Sequence, residues 1–209
     1  MWFCLQTVAL IADGQIDSLE QLRPLILRHQ RIVAVDGGLA YCQKLGIQPD
    51  LIVGDFDSCS PELLRSYSEV PQIPLEVEKD ETDLEAAVNE ELKRGARTLS
   101  LFGAWGRRID HSLGNLLLLT RHPGKIAMET EKETLFCIDR KASFATRVGQ
   151  TLSLIPINGP VLGIRTKGLK WELSGKNMDK NFFGISNICL KGEIEISIDQ
   201  GSLACCLVK

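Results

Sequence analysis

The chain has 209 residues, 44% hydrophobic and 24% charged, a balance that excludes disordered and fibrous proteins and is enough for one large domain or two small ones. Its formal charge of -3 offers no basic footprint for nucleic acid. The longest apolar runs, such as 116–120 and 194–198, are far too short to cross a bilayer.

Residues 1–12 are apolar with no basic residue before them, which predicts a first buried strand, not a signal peptide. Further short runs rich in Val, Ile and Leu predict strands at 7–11, 31–35, 51–53 and 98–102, and the segment 75–77 also reads as extended. Helices are expected between them, at 18–28, 39–45, 61–67 and 83–94. Ser60-Pro61 is a start signal, because serine caps free amides and proline suits the first helical position. Pro24 is expected to kink or shorten the first helix. Leu84, Val88 and Leu92 recur at helical spacing and predict one buried stripe. Strands alternating with helices imply an α/β domain, a mostly parallel sheet covered by helices.

After Met128 the texture changes. Short segments at 134–138, 151–155, 161–166, 193–198 and 203–208 are separated by Gly, Asn, Pro and Asp-Arg, without a long amphipathic helix. This pattern predicts an all-β sandwich or small barrel, so the expected division is 1–128 and 129–209. The seven cysteines contain no C-x-x-C pair, which predicts reduced thiols and a cytoplasmic protein.

In an α/β sheet, ligands bind beyond the carboxyl ends of the strands, and here those ends carry acid after acid. Strand 31–35 runs into Asp36-Gly37-Gly38, and 51–53 into Gly54-Asp55-Phe56-Asp57-Ser58. Segment 75–77 leads to Lys79-Asp80-Glu81-Thr82-Asp83, and 98–102 to Gly103, Gly106, Arg108 and Asp110-His111. Crowded carboxylates repel one another and raise each other's pKa values. Magnesium relieves that, being a hard ion that takes oxygen ligands and binds substrate phosphates as well. Glycines let backbone amides approach a phosphate, and the planar fork of Arg108 suits phosphate oxygens. The combination points to phosphoryl or pyrophosphoryl transfer. Taken singly, Asp55 and Asp57 also read as turn or cap residues, Asp83 as a helix cap, Gly37-Gly38 as a turn and His111 as positional. Their joint placement at successive strand ends favours a site.

These residues resemble the thiamine pyrophosphokinase family, in particular its bacterial branch, over nearly the whole chain. Pro49-Asp50-Leu51-Ile52-Val53-Gly54-Asp55-Phe56-Asp57-Ser58 carries the most specific signature. Val35-Asp36-Gly37-Gly38 is similar to the family's acidic double-glycine turn, with Val35 where alanine is usual. Lys79-Asp80-Glu81-Thr82-Asp83-Leu84-Glu85 is similar to its Asp-x-x-x-Asp segment. Between Gly103 and Asn115, Arg108, Asp110, His111 and Asn115 align with the glycine-rich loop, while Trp105 replaces a small residue and Arg107 a glycine. Lys167-Gly168-Leu169-Lys170-Trp171 and Gly184-Ile185-Ser186-Asn187 resemble its vitamin-binding elements.

The resemblance implies transfer of the pyrophosphoryl group of ATP to thiamine, giving thiamine diphosphate and AMP. Asp55, Asp57 and Asp83 would hold Mg²⁺, with Asp80 a further ligand or a proton acceptor. Asp36, Gly37, Gly38, Thr82, Arg108 and Asp110 would line the nucleotide site. Trp171, otherwise a core aromatic by composition, would stack on thiamine, with Ser186 and Asn187 hydrogen-bonding to it. It also implies a homodimer with the site at the subunit interface, and no nucleic-acid or membrane partner. The rival expectations are a pyrophosphokinase for another heterocyclic alcohol of pterin type, a metal phosphatase with Asp55 or Asp57 as nucleophile, and a catalytically inactive binding module.

Overall fold

A computed structural model describes residues 7–209, so the first half of the expected 1–12 strand lies outside the described residues. The chain divides into two compact units, one running to Asn115 together with Met128–Glu131, the other comprising Leu116–Ala127 and Lys132–Lys209.

The first unit alternates strands and helices: β1 (Thr7–Ile11), α1 (Leu19–Leu27), β2 (Arg31–Val35), a 3-10 turn (Asp36–Gly38), α2 (Leu39–Leu45), β3 (Leu51–Gly54), α3 (Pro61–Ser66), β4 (Gln72–Pro74), α4 (Asp83–Lys93) and β5 (Thr98–Phe102), with β6 (Ile126–Glu129) following a further helix, α5 (Ile109–Arg121). The strand order is β4-β3-β2-β1-β5-β6. The pairs β1–β2, β1–β5, β2–β3 and β3–β4 are all parallel. Ile11 lies level with Ala34 and with Phe102, and Val35 with Val53. The carboxyl ends of four strands therefore share one edge.

Alternation along the strands sorts the core. Ala9, Ile11, Ala34, Ile52 and Phe102 pack with Leu22 and Ile26 of α1, Leu39, Cys42 and Leu45 of α2 and Leu63 of α3. Each such side chain removed from water contributes roughly 1.5–3 kcal/mol. Helix α4 lies against β1, β2 and β3, burying Leu84, Ala87 and Val88.

Three local expectations are corrected. Helix α1 is not shortened at Pro24 but runs on to Leu27, with the proline at an exposed position. The fourth strand is Gln72–Pro74, not 75–77: its ladder ends where β3 ends, at the Gly54–Pro74 pair, and Val77 beyond it is 72% exposed. The cap of α4 is Thr82, whose hydroxyl accepts from the Glu85 amide at 3.2 Å, so Asp83 is the first helical residue and its carboxylate is free for other work.

The second unit is antiparallel: β7 (Glu133–Ile138), β8 (Lys141–Ala145), β9 (Thr151–Lys167), β10 (Ser174–Met178), β11 (Gly184–Ile188), β12 (Glu193–Ser197) and β13 (Gln200–Val208). The expected strands 151–155 and 161–166 are one strand, β9. Its first half pairs with β13 and β11, its second half with β10 and β12. One strand thus serves two sheets, and Leu152, Leu154, Val161, Ile164, Ile194, Ile196 and Leu203 form the core they share. Strand β10, Ser-Gly-Lys-Asn-Met, carries no β-branched residue and is mostly exposed, which is why composition did not reveal it.

The six described cysteines are free thiols, five of them buried. Among the described residues no helix is long and apolar enough to cross a membrane.

Candidate active site

Strand β1 lies between β2 and β5, so successive connections diverge on either side of it, the position at which open α/β sheets leave a crevice. A cavity of about 450 Å³ lies there. It is bordered by Asp13 after β1, Asp36 after β2, Lys79 and Thr82 ahead of α4, Asp83 at its first position, and Gly103, Arg107 and Arg108 after β5. The loops following β1 and β5 are laced by main-chain bonds: Gly14 donates to the Gly103 carbonyl at 2.6 Å and Gln15 to that of Trp105 at 2.7 Å. A side chain at Gly103 would place Cβ 2.3 Å from the Ala12 carbonyl oxygen, at a φ of +62°. Only glycine permits that approach.

The double glycine after β2 has a similar cause. A Cβ at Gly38 would lie 1.9 Å from the Ile11 carbonyl oxygen, and one at Gly37 would lie 2.8 Å from Cγ of Asp13. The turn is pressed onto β1, and Asp36 is held at its head in a left-handed conformation, φ +45°.

Three carboxylates meet at this point: Asp36, Asp55 and Asp57 each present an oxygen within 4.8 Å of the others. Asp55 Oδ1 accepts from the Asp57 amide at 3.2 Å, and Asp57 Oδ1 from the Ser58 hydroxyl at 2.9 Å, so the turn-forming role coexists with the convergence. Asp36 Oδ1 is buried without a hydrogen-bond partner. Burial pushes the Asp36 pKa up, and the nearby Asp83 and Asp55 charges push it further. A buried unpartnered carboxylate oxygen facing two more carboxylates is a donor set that fits a hard divalent cation.

Asp83 stands beside this group with a cation already at hand. Lys79 Nζ is 3.0 Å from Asp83 Oδ1 and 3.6 Å from Asp55 Oδ2. Burial works against the ammonium, yet those two carboxylates outweigh it and hold the Lys79 pKa above its usual value. Asp80, next to it, is exposed.

Arg108 and Asp110 form a two-pronged pair, Nε to Oδ1 at 3.1 Å and Nη2 to Oδ2 at 2.6 Å. With the His111 amide also donating to it, the Asp110 carboxyl is pulled down to about 2. Arg107 pairs with Asp13 from a left-handed backbone, φ +57°. The loop is tied to α5 by the Gly106 amide donating to Ser112 Oγ at 3.0 Å and Asn115 Nδ2 donating to the Ala104 carbonyl at 2.8 Å.

In the second unit Trp171 is 55% exposed, which excludes a core role. The Lys170 ammonium lies 4.6 Å from its ring centroid. Ser186 is exposed, at φ +60°. The Asn187 side chain bonds to the Trp171 main chain on both sides, Oδ1 accepting from its amide at 3.1 Å and Nδ2 donating to its carbonyl at 2.8 Å.

The sequence reading passed over Asp13 and Lys79. Both carried a signal: Asp13 follows β1 as Asp36 follows β2, and Lys79 precedes Asp83 by one helical turn.

Carboxylates, a lysine and two arginines thus stand around a crevice at the carboxyl edge of a parallel sheet in an α/β unit. Residues 22–130 match the family described as thiamin pyrophosphokinase, catalytic domain, and residues 136–203 match thiamin pyrophosphokinase, vitamin B1 binding domain; the chain belongs to the thiamin pyrophosphokinase family. It is 27% identical over 172 residues to thiamine pyrophosphokinase 1 of Oryza sativa subsp. japonica, covering 75% of this chain and 65% of that one. It is 32% identical over 117 residues to thiamine pyrophosphokinase of Bacillus subtilis (strain 168), covering 55% of each. The chain thus spans between about half and two thirds of the length of these two curated relatives. A crystal structure of thiamin pyrophosphokinase from Geobacillus thermodenitrificans superposes with a TM-score of 0.87 at 26% identity, covering 97% of both chains.

Proposed function

We propose that this chain is a thiamine pyrophosphokinase, with an ATP- and Mg²⁺-binding catalytic domain over 1–128 and a thiamine-binding β-sandwich over 129–209. The observation that carries the reading is the meeting of Asp36, which lines the crevice together with Lys79, with Asp55 and Asp57 at the end of β3. In the reaction the hydroxyl oxygen of thiamine forms a bond to the β-phosphorus of ATP. The bond from that phosphorus to the oxygen bridging it to the α-phosphorus breaks, and AMP leaves.

Asp55, Asp57 and Asp83 are the proposed magnesium ligands, with Asp36 adding its unpartnered oxygen. When bound, magnesium supplies charge neutralisation and orients the phosphate oxygens. Arg108, whose Nε and Nη2 engage Asp110, offers its remaining guanidinium N–H groups to phosphate oxygens. Thr82 spends one lone pair on the cap of α4 and keeps its O–H to donate to a phosphate. Gly37 and Gly38, buried against β1, let the turn that carries Asp36 close onto that strand. Asp80, exposed beside Lys79, is the proposed acceptor of the hydroxyl proton. Trp171, with the Lys170 ammonium over one face, offers its other indole face to a flat cationic ring, and Ser186 an exposed hydroxyl. Positioning and charge complementarity carry the rate, as in other phosphoryl transfers.

The proposal places the enzyme in the cytoplasm as a homodimer with its site at the subunit interface. The family resemblance supports this, together with Ile109, Leu113 and Leu117, which stand exposed at one-turn spacing along α5.

Incubation with Mg²⁺, ATP and thiamine, resolved by chromatography, tests the reading. Equal amounts of thiamine diphosphate and AMP, dependent on magnesium, are expected. ADP with thiamine monophosphate would overturn the mechanism. Turnover of a hydroxymethylpterin instead of thiamine would overturn the acceptor, and a trapped acyl-phosphate on Asp55 or Asp57 would indicate a phosphatase.

A further inference from the structure

The carboxamide of Asn187 is committed at its oxygen and at one of the two N–H groups of its nitrogen. Its oxygen accepts from the Trp171 amide at 3.1 Å and from the Ile188 amide at 2.8 Å, and its nitrogen donates to the Trp171 carbonyl at 2.8 Å. With two donors on the oxygen, no lone pair remains for a ligand.

The surrounding main chain explains why a side chain is needed there. Residues 168–170 run antiparallel to 188–190, with the Leu190 amide donating to the Gly168 carbonyl at 2.7 Å and the Lys170 amide to the Ile188 carbonyl at 2.8 Å. The next step of that ladder falls at Ser186. There β11 breaks register between Gly184 and Asn187, and Ser186 turns left-handed at φ +60°. Its amide is drawn the other way, to Ser153 Oγ at 3.0 Å. Main-chain pairing therefore stops one residue short of Trp171, and the carboxamide, which carries the same donor and acceptor as a peptide group, continues it. Trp171 itself is 55% exposed, so side-chain packing does little to fix its indole, and the hold on its backbone falls to Asn187.

We propose that Asn187 is a positioning residue that clamps the Trp171 main chain and so fixes the direction in which the indole presents its open face, instead of bonding to thiamine itself. The same bulge that requires the clamp exposes the Ser186 hydroxyl, so the platform and its neighbouring donor are built by one device. This rests on the reading of Trp171 as the thiamine platform.

Two measurements on Asn187→Ala, Asn187→Asp, Trp171→Ala and Asn187→Ala/Trp171→Ala separate the parts. The first needs no substrate: hydrogen exchange at the Trp171 amide, followed by NMR. Asn187→Ala is expected to speed exchange about 10-fold, while Asn187→Asp, which keeps the acceptor, leaves it near the parent rate. Unchanged exchange in Asn187→Ala would remove the clamp. The second is steady-state kinetics. Asn187→Ala is expected to raise the thiamine KM about 10-fold with the ATP KM unmoved, and Asn187→Asp to raise it less. In the Trp171→Ala background the further change Asn187→Ala should add nothing, because a residue acting through another has no effect once that other is gone. Additive effects would show direct contact with thiamine and overturn the proposal. A parallel rise in both KM values with a lowered Tm would show a purely structural role. If exchange responds as expected but Trp171→Ala leaves the thiamine KM unaltered, the clamp stands and the assignment of Trp171 as the platform falls.

Discussion

At the scale of single residues, burial and backbone conformation decide what each charge can do. Asp36 is held in the left-handed region with one oxygen buried and unpartnered, an arrangement that costs free energy until a cation shares the site. Asp57 is exposed and its side chain accepts from the neighbouring Ser58 hydroxyl, so its replacement spares the core. Asp57→Asn is expected to lower kcat by at least about 100-fold, the size of effect seen when one preorganised group is taken from a charged transition state, with Tm unchanged in a thermal melt. Near-normal turnover would remove Asp57 from the site. Arg107 sits at φ +57°, which costs an ordinary residue about 1–2 kcal/mol, and its exposed pair with Asp13 returns about 0–1 kcal/mol. Arg107→Gly is therefore expected to change stability by less than about 1 kcal/mol in urea titration, since glycine relieves the backbone while enlarging the entropy of the unfolded chain. A loss above about 2 kcal/mol would mean that the Asp13–Arg107 pair holds the loop closed.

Elements place these residues through their ends. Helix α1 stops at Leu27, and His29 folds back so that its ring nitrogen Nδ1 lies 3.1 Å from the Leu25 and Ile26 carbonyls, with the ring edge-on to Phe102. Burial lowers its pKa below the ordinary 6.5, and the adjoining Arg28 charge lowers it further against the opposing pull of those carbonyls. As pH falls through 6.5 the unfolded chain takes up the proton first, so the stability that the neutral ring contributes is complete above that pH and is lost below it. Thermal melts of the parent and His29→Gln should show the parent losing more Tm between pH 7.5 and pH 5. Equal losses would place the titration elsewhere. Most elements of the first unit were legible in the sequence because strand runs and helix stripes differ in period, and because Ser60-Pro61 marks a helix start. The fourth strand was placed too late because Leu75 and Val77 look extended, while the ladder that would pair them ends at Pro74. In the second unit β8, β10 and β11 were not read, since their pairing to β9 and β12, not their own side chains, makes them strands.

At the scale of the whole molecule, the exposed row Ile109, Leu113 and Leu117 on α5 is the feature that a second copy would cover. Leu113 is 54% exposed, and a glutamate there would be buried without a partner in any such interface. Sedimentation of the parent is expected at twice the 23.1 kDa chain mass, and of Leu113→Glu at the single mass with unchanged circular dichroism. A parent that sediments as a monomer would remove the dimer from the proposal.

The sequence by itself determined which residues could matter: acids and glycines after each strand, and an α/β half followed by an antiparallel β half. These are local facts, written in side-chain period and turn chemistry. Only the tertiary structure decided their partnerships. It set Asp36 with Asp55 and Asp57, and gave Asp83 the Lys79 ammonium. It made Thr82 the cap, and spent the Asn187 carboxamide on Trp171. The carboxylate cluster depends on parallel register and the Asn187 clamp on a bulge in β11, and a contact between residues distant in the chain is specified by packing, which no single stretch of sequence contains.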